Sequence, residues 1–181
     1  MSAKMKPGQT AEIAGPKKAF IIPNSKVATS MIKKAERPLL VIGSESTEIK
    51  TKDGDLVDTA IRINKMEKIT IAATGHLIKI FKERGASVQS IPMMNLGDRL
   101  RDPNWQGFDG KGQYDLVLFL GAPYYIEWLV ESGLKNFAPD MNTISLGNSY
   151  QPNANWSMGS IPLKKWQEEL DEILKNLEEG N

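Results

Sequence analysis

Four short stretches carry the residue types best suited to holding a ligand. Gly43-Ser44, Thr74-Gly75, Gly121-Ala122 and Gly147-Asn148 each follow an apolar run: Leu39 to Ile42, Ile69 to Ala73, Tyr114 to Leu120 and Thr143 to Leu146. Glycine at such a point lets the backbone turn sharply and come close to a bound group. A helix starting just beyond it presents unpaired N–H groups, which favour an anion such as a phosphate. The four together outline a nucleotide pocket. The same glycines would also serve tight strand-to-helix turns with no ligand. Neither a G-x-G-x-x-G nor a Walker A run is present. Glu45 stands beside the first glycine, where it would repel phosphate, and no Asp or Glu closes the second run to hold a ribose hydroxyl.

Other chemistry is scarce. The chain has no cysteine, which excludes a disulfide, a thiol nucleophile, a zinc–thiolate site and a cysteine-ligated iron–sulfur cluster on it. The single histidine, His76, follows Thr74-Gly75 with no second metal ligand nearby and reads as a helix-start or pocket-wall residue. Asp102, Asn104, Gln106 and Asp109 faintly match a calcium loop, but Pro103 intrudes and Gln113 stands where a bidentate Glu is needed. Trp105 and Phe108 on that loop read as anchors, either packed under it or inserted into a partner. Glu168-Glu169 and Asp171-Glu172 read as the solvated face of a helix, and Asn155-Trp156-Ser157 is a glycosylation sequon only in form.

These positions need elements to hold them. Residues 25–36 form a helix with Ser25 as its cap and Val27, Ala28, Met31, Ile32 and Ala35 on one face; Arg37-Pro38 stops it. Leu39 to Ile42 is apolar throughout, as in a strand covered on both faces of a parallel sheet. Helices over 54–66 and about 76–84 alternate with strands at Ile69 to Ala73 and Val88 to Ile91. After the unpatterned loop 101–113 come the strand Tyr114 to Leu120, a helix opened by Pro123 and running to about Phe137, and the strand Thr143 to Leu146. Pro162 opens a last helix with Leu163, Trp166, Leu170, Ile173, Leu174 and Leu177 inward. Such alternation predicts an α/β fold: a three-layer, doubly wound parallel sheet, Rossmann-like.

Residues 1–24, rich in Pro, Gly and Lys, read as an extended N-terminal arm, and 25–181 as a single domain. The arm's apolar patch, Ala19-Phe20-Ile21-Ile22, needs burial on this domain or on a neighbour. Residues 1–40 hold eight Lys or Arg against two Glu, a basic stretch suited to an acidic partner surface or to a solvated tail. Overall, 23 basic residues balance 22 acidic ones in 181, so a nucleic-acid partner is not expected. No apolar run approaches the roughly 20 residues of a membrane span, and no secretory leader is apparent, so a cytoplasmic location is expected.

Two resemblances join these readings. Arg37-Pro38-Leu39-Leu40-Val41-Ile42-Gly43 resembles the first strand of the central domain of thiamine-diphosphate enzymes. ERPLLVIG (36–43), IAATG (71–75) and DPNWQGFDGKGQYD (102–115), with the order of elements from about residue 25 to 178, resemble the epsilon-subunit family of the archaeal acetyl-CoA decarbonylase/synthase complex, in its carbon monoxide dehydrogenase component. That resemblance implies a parallel sheet of about six strands and a large nickel–iron–sulfur catalytic (alpha) partner in an alpha2-epsilon2 assembly. It also implies a crevice of the flavin or nicotinamide type. Carbon monoxide oxidation would belong to the partner. This chain would be a non-catalytic accessory subunit that stabilises it or, alternatively, an FAD-binding electron-transfer module. A stand-alone nucleotide hydrolase or transferase would lack a visible nucleophile, base or metal cluster.

Overall fold

Two apolar runs, fully buried at every position, fix the centre of the molecule. In the computed structural model, which describes residues 17–179, the elements follow in order: β1 (Phe20–Ile21), α1 (Ser25–Lys34), β2 (Pro38–Ile42), β3 (Lys50–Thr51), β4 (Gly54–Asp55), α2 (Leu56–Asn64), β5 (Thr70–Ala73), α3 (Leu77–Glu83), β6 (Gln89–Ser90), α4 (Met93–Arg101), β7 (Leu116–Leu120), α5 (Tyr124–Phe137), β8 (Asn142–Ser145), β9 (Trp156–Ser157) and α6 (Leu163–Glu178). β2 and β7 are the buried pair, side by side with Leu40 opposite Leu118.

The main sheet has the order β1-β9-β8-β7-β2-β5-β6, and all its pairings are parallel. Seven strands stand where about six are expected; the two-residue β1 and β9 are too short to leave a period in the sequence. β3 and β4 form a separate antiparallel hairpin before α2. From β2 the chain winds outward through β5 and β6, then returns to lay β7 on the other side of β2. The direction of winding therefore reverses between β2 and β7, the place where an open parallel sheet holds its ligands.

Side chains alternate between the faces of each strand. Leu40, Ile42, Leu118 and Leu120 meet α1, α2, α3 and α6 through residues such as Ile32, Ala60, Phe81 and Trp166. Leu39, Val41, Val117 and Phe119 meet α4 and α5 through Leu96, Leu100, Val130 and Leu134. This is the expected three-layer α/β arrangement.

Local chemistry sets the helix ends. Asn24, not Ser25, caps α1, its side chain accepting the Val27 N–H at 3.1 Å. Ser25 is the first helical residue and donates its N–H to Glu169. Asp55 caps α2 in a reciprocal box with Asp58, and Arg84 grips the Asp55 carboxylate at 2.8 and 3.0 Å. Burial works to raise the Asp55 pKa, but Arg84 and the helix N–H groups outweigh it and leave it lowered.

The apolar patch in the arm is only partly buried on this domain: Phe20 stays 64% exposed and Ile21 half-buried. Ala19 and Ile22 are buried, β1 pairs with β9, and the Ile22 N–H donates to the Ser157 carbonyl at 2.9 Å. The rest of the expected arm, residues 1–16, lies outside the described residues. Two expectations for α6 change. Leu163 is exposed, and Asp171 is tucked in, paired with Lys175 at 2.9 Å and with Lys52 at 3.6 Å, rather than solvated.

Candidate functional site

The four strand-end glycines lie along one edge of the sheet, because the strands they follow are parallel: Gly75, Gly43, Gly121 and Gly147 in spatial order. They do different work. The turns after β2 and β7 are packed against each other. Gly43 N–H donates to the Leu120 carbonyl, and Glu45 N–H to the Gly121 carbonyl, both at 2.9 Å. A Cβ on Gly43 would overlap the Ala122 backbone, and one on Gly121, at φ +69°, would strike the Ser46 hydroxyl. That hydroxyl is buried and donates to the Gly43 carbonyl at 2.8 Å. At the point of reversal, the two turns leave no room for a Cβ at either glycine. Gly75 is open, with nothing within 4 Å of a Cβ. Thr74 Oγ1 is buried without a hydrogen-bond partner, and His76 is an exposed residue at the start of α3 that makes no side-chain cap.

The structure gathers half of the expected nucleotide-binding residues around one cavity of about 90 Å³ at the carboxyl ends of β7 and β8. Gly121, Ala122, Gly147 and Asn148 line it; Gly43, Ser44, Thr74 and Gly75 do not. Pockets for small molecules span roughly 300–1,000 Å³, so a dinucleotide does not fit here. The rest of the lining opposes a phosphate as well. Glu45 lies at the exposed rim, and Glu127, Ser145 and Gln151 form buried wall.

The two carboxyls of α5 are the feature that the sequence reading missed. Glu127 and Glu131 are both buried, with Val130 and Leu134, on the inward stripe of the helix. No counter-charge meets them: Glu127 Oε1 and both Glu131 oxygens lack hydrogen-bond partners, as do Ser145 Oγ and Gln151 Oε1. Burial pushes Glu127 up to about 7; the nearby Ser145 hydroxyl partly offsets this, and Glu45 adds to it. Burial, then the neighbouring Glu127, push Glu131 well above the usual carboxylate range. The signal lay in the spacing, since 127, 130, 131 and 134 follow the i, i+3, i+4, i+7 pattern of a buried face.

Polar side chains staple the segment 148–157 to α5 and the sheet. Gln151 Nε2 donates to the Tyr124 carbonyl at 2.9 Å, and Asn153 Nδ2 to the Trp128 carbonyl at 3.2 Å. The Asn155 carboxamide oxygen accepts the Thr143 N–H at 2.8 Å, and Ser157 is fully buried, so the sequon residues serve the fold.

At the opposite edge of the sheet, the loop after α4 is closed on itself. The Trp105 and Phe108 rings meet edge-on at 5.2 Å, and both pack on Tyr114. Both are half-buried, so of the two readings for these rings the structure shows packing under the loop. Arg37 lies over the Tyr114 ring, pairs with Asp109 at 2.7 Å and donates to the Gly112 and Gln113 carbonyls. The Gln113 amide donates to the Arg99, Leu100 and Asp102 carbonyls, closing the end of α4. Arg37 holds the Asp109 carboxyl down at about 2. Asp109 is thus engaged with a guanidinium rather than a cation, and among the described residues no group of three or more His, Cys, Asp or Glu is placed to hold a metal. No helix among them is long and apolar enough to cross a membrane.

Comparison with known proteins adds a family. The model described as CO dehydrogenase beta subunit/acetyl-CoA synthase epsilon subunit matches residues 2–174. The chain is 32% identical over 167 residues to acetyl-CoA decarbonylase/synthase complex subunit epsilon of Methanothermobacter thermautotrophicus, covering 92% of this chain and 93% of that one. It is 38% identical over 173 residues to the subunit epsilon of Methanothrix soehngenii, covering 93% and 89%. The subunit epsilon 1 of Archaeoglobus fulgidus is 38% identical over 157 residues, covering 84% and 82%.

Proposed function

The chain belongs to the CO dehydrogenase beta subunit/acetyl-CoA synthase epsilon subunit family, and from that premise we propose that it is a non-catalytic accessory subunit of the carbon monoxide dehydrogenase component. It binds and stabilises the nickel–iron–sulfur catalytic (alpha) subunit in an alpha2-epsilon2 assembly in the cytoplasm. The observation that carries this reading is the outer face of α5. Tyr125 is 70% exposed and Leu129, one turn on, 49% exposed, on the helix whose other face forms core. Phe137 at its end is 67% exposed, under the Arg101 guanidinium of α4. An aromatic and an aliphatic side chain one turn apart are suited to fill a pocket on a protein partner. Trp105 and Phe108 add the uncovered edges of their rings, and the 102–115 loop adds a rigid rim.

The test is co-purification with the catalytic subunit. The double variant Tyr125→Asp, Leu129→Asp loses association while keeping the fold by circular dichroism, and Trp105→Ala weakens it. Unchanged association of the double variant removes α5 from the interface; no association of the wild-type chain removes the reading. The alternative, an FAD-binding electron-transfer module, needs the turns at Gly43 and Gly121 to separate by several ångströms to admit the diphosphate. Saturable FAD binding at micromolar levels, alone or in the complex, would favour that alternative.

A further inference from the structure

Residues 17–34 hold five lysines and no Asp or Glu; Glu36 is the first acid after them. Lys17, Lys18, Lys26, Lys33 and Lys34 are all exposed, and among the described residues none of them forms an ion pair. These lysines border apolar surface. Phe20, two residues after Lys18, is exposed, and its ring lies 5.2 Å from that of Trp156 at the edge of the sheet. Trp156 also lines a groove of about 280 Å³ between the end of α1 and the starts of β7 and β8. Buried Ala35, Leu116 and Ile144 and half-buried Met31 make the groove apolar, and exposed Lys34 stands beside them. The one carboxylate in the lining, Asp115, is occupied: its two oxygens accept the Glu36 and Arg37 N–H groups, each at 2.8 Å. The Phe20 ring extends this apolar surface past Trp156 to the edge strand.

We propose that the groove and the Phe20–Trp156 pair form a second docking surface, which takes an acidic protein segment carrying a bulky apolar side chain. Pockets for small molecules begin at roughly 300 Å³. A groove of about 280 Å³ with mainly apolar walls suits a single projecting aromatic or aliphatic side chain instead. The lysines around it select a segment with carboxylates beside that side chain. Asp115 offers little opposition, because its oxygens are turned to backbone N–H groups. A second copy of this chain does not fit as a two-fold partner, since the same patch on both copies would set lysines against lysines. The groove lies on the α1 side of the sheet, whereas α5 covers the other side. A catalytic subunit seated on α5 leaves it open, so the chain can join two partners from opposite faces. This inference adds a partner to the accessory-subunit reading without resting on it.

The test is a fluorescence-anisotropy titration of a labelled peptide, Asp-Glu-Asp-Phe-Glu-Asp, with the full chain at low salt. The peptide binds saturably at submillimolar chain. Replacing its Phe by Ser weakens binding about tenfold or more, the loss expected for one buried aromatic side chain. Lys34→Glu and Phe20→Ser, both at exposed positions, each weaken binding about fivefold or more while circular dichroism stays unchanged. Lys82→Glu makes the same charge change on α3, toward the opposite edge of the sheet, and leaves binding unaltered. No saturable binding up to millimolar chain, or binding that neither variant reduces, overturns the proposal. So does an oligonucleotide or an anionic lipid vesicle that displaces the peptide at equal charge, because either would make the surface one for nucleic acid or membrane.

Discussion

Replacing Glu127 by Gln changes how stability depends on pH, and the magnitude follows from burial. The folded protein holds this carboxyl at about 7, against an ordinary value of 4.5. Below pH 4.5 both folded and unfolded chains carry the proton, and the group makes no difference. As pH rises, the unfolded chain ionises first, and the native state loses stability until the folded carboxyl also ionises near neutrality. The gap between the two values, at about 1.4 kcal/mol per pH unit, amounts to about 3 kcal/mol. A glutamine at this position cannot ionise, so the variant does not take part in that loss. Urea unfolding followed by circular dichroism checks this from about pH 4 to about pH 8. The stability of Glu127→Gln relative to wild type rises by about 3 kcal/mol across that range, or roughly 6–12 °C in Tm for a chain of this size. Glu131 pushes the wild type in the same direction. Parallel stability curves for the two proteins would refute the reasoning, because they would mean that Glu127 ionises freely inside the fold.

The two kinds of strand-end glycine separate in thermal melts. Gly43→Ala forces a Cβ into the Ala122 backbone and lowers stability by about 3 kcal/mol or more, in the range of severe core overpacking. Gly75→Ala meets open space and changes stability by about 1 kcal/mol or less, with a gain as the expected sign. Arg37→Ala releases Asp109 and the Gly112 and Gln113 carbonyls together, so limited proteolysis cuts the 102–115 loop much faster while the core stays folded. In the wild type the pairing lowers the Asp109 pKa to about 2. Loop protection is therefore present above about pH 4 and is lost only as pH falls through about 2, a dependence that hydrogen exchange on the loop amides reads directly.

The fold was legible wherever burial leaves a pattern. Leu39 to Ile42 announced a strand covered on both faces, Tyr114 to Leu120 announced a strand that the structure starts two residues later at Leu116, and Trp166, Leu170, Ile173, Leu174 and Leu177 announced the inward face of α6. Pro123 and Pro162 marked two helix starts correctly. Elements of two residues were not legible, since β1, β9 and the hairpin strands β3 and β4 are shorter than any period. Helix α4 hides its core face in only four buried positions, one of them Gly97 against Val130.

The candidate site was half legible. Glycines mark strand ends reliably, but a sequence does not say whether the space beside a glycine is taken by a ligand or by another turn. Here Gly43 and Gly121 admit each other's turns. Glu127 and Glu131 were passed over because charged residues are almost always exposed; only their register with Val130 and Leu134 placed them inside. Trp105 and Phe108 sit in a loop without periodicity, so their orientation depended on Arg37 and Tyr114, partners that no local spacing reveals.

The most direct measurement is hydroxyl-radical footprinting of the chain alone and bound to its catalytic subunit. The oxidation rates of Tyr125 and Leu129 fall several-fold in the complex, while the rate at exposed Phe20, beside Trp156 at the edge of the sheet, serves as the reference. Equal oxidation of Tyr125 and Leu129 in the free and bound states would contradict the account.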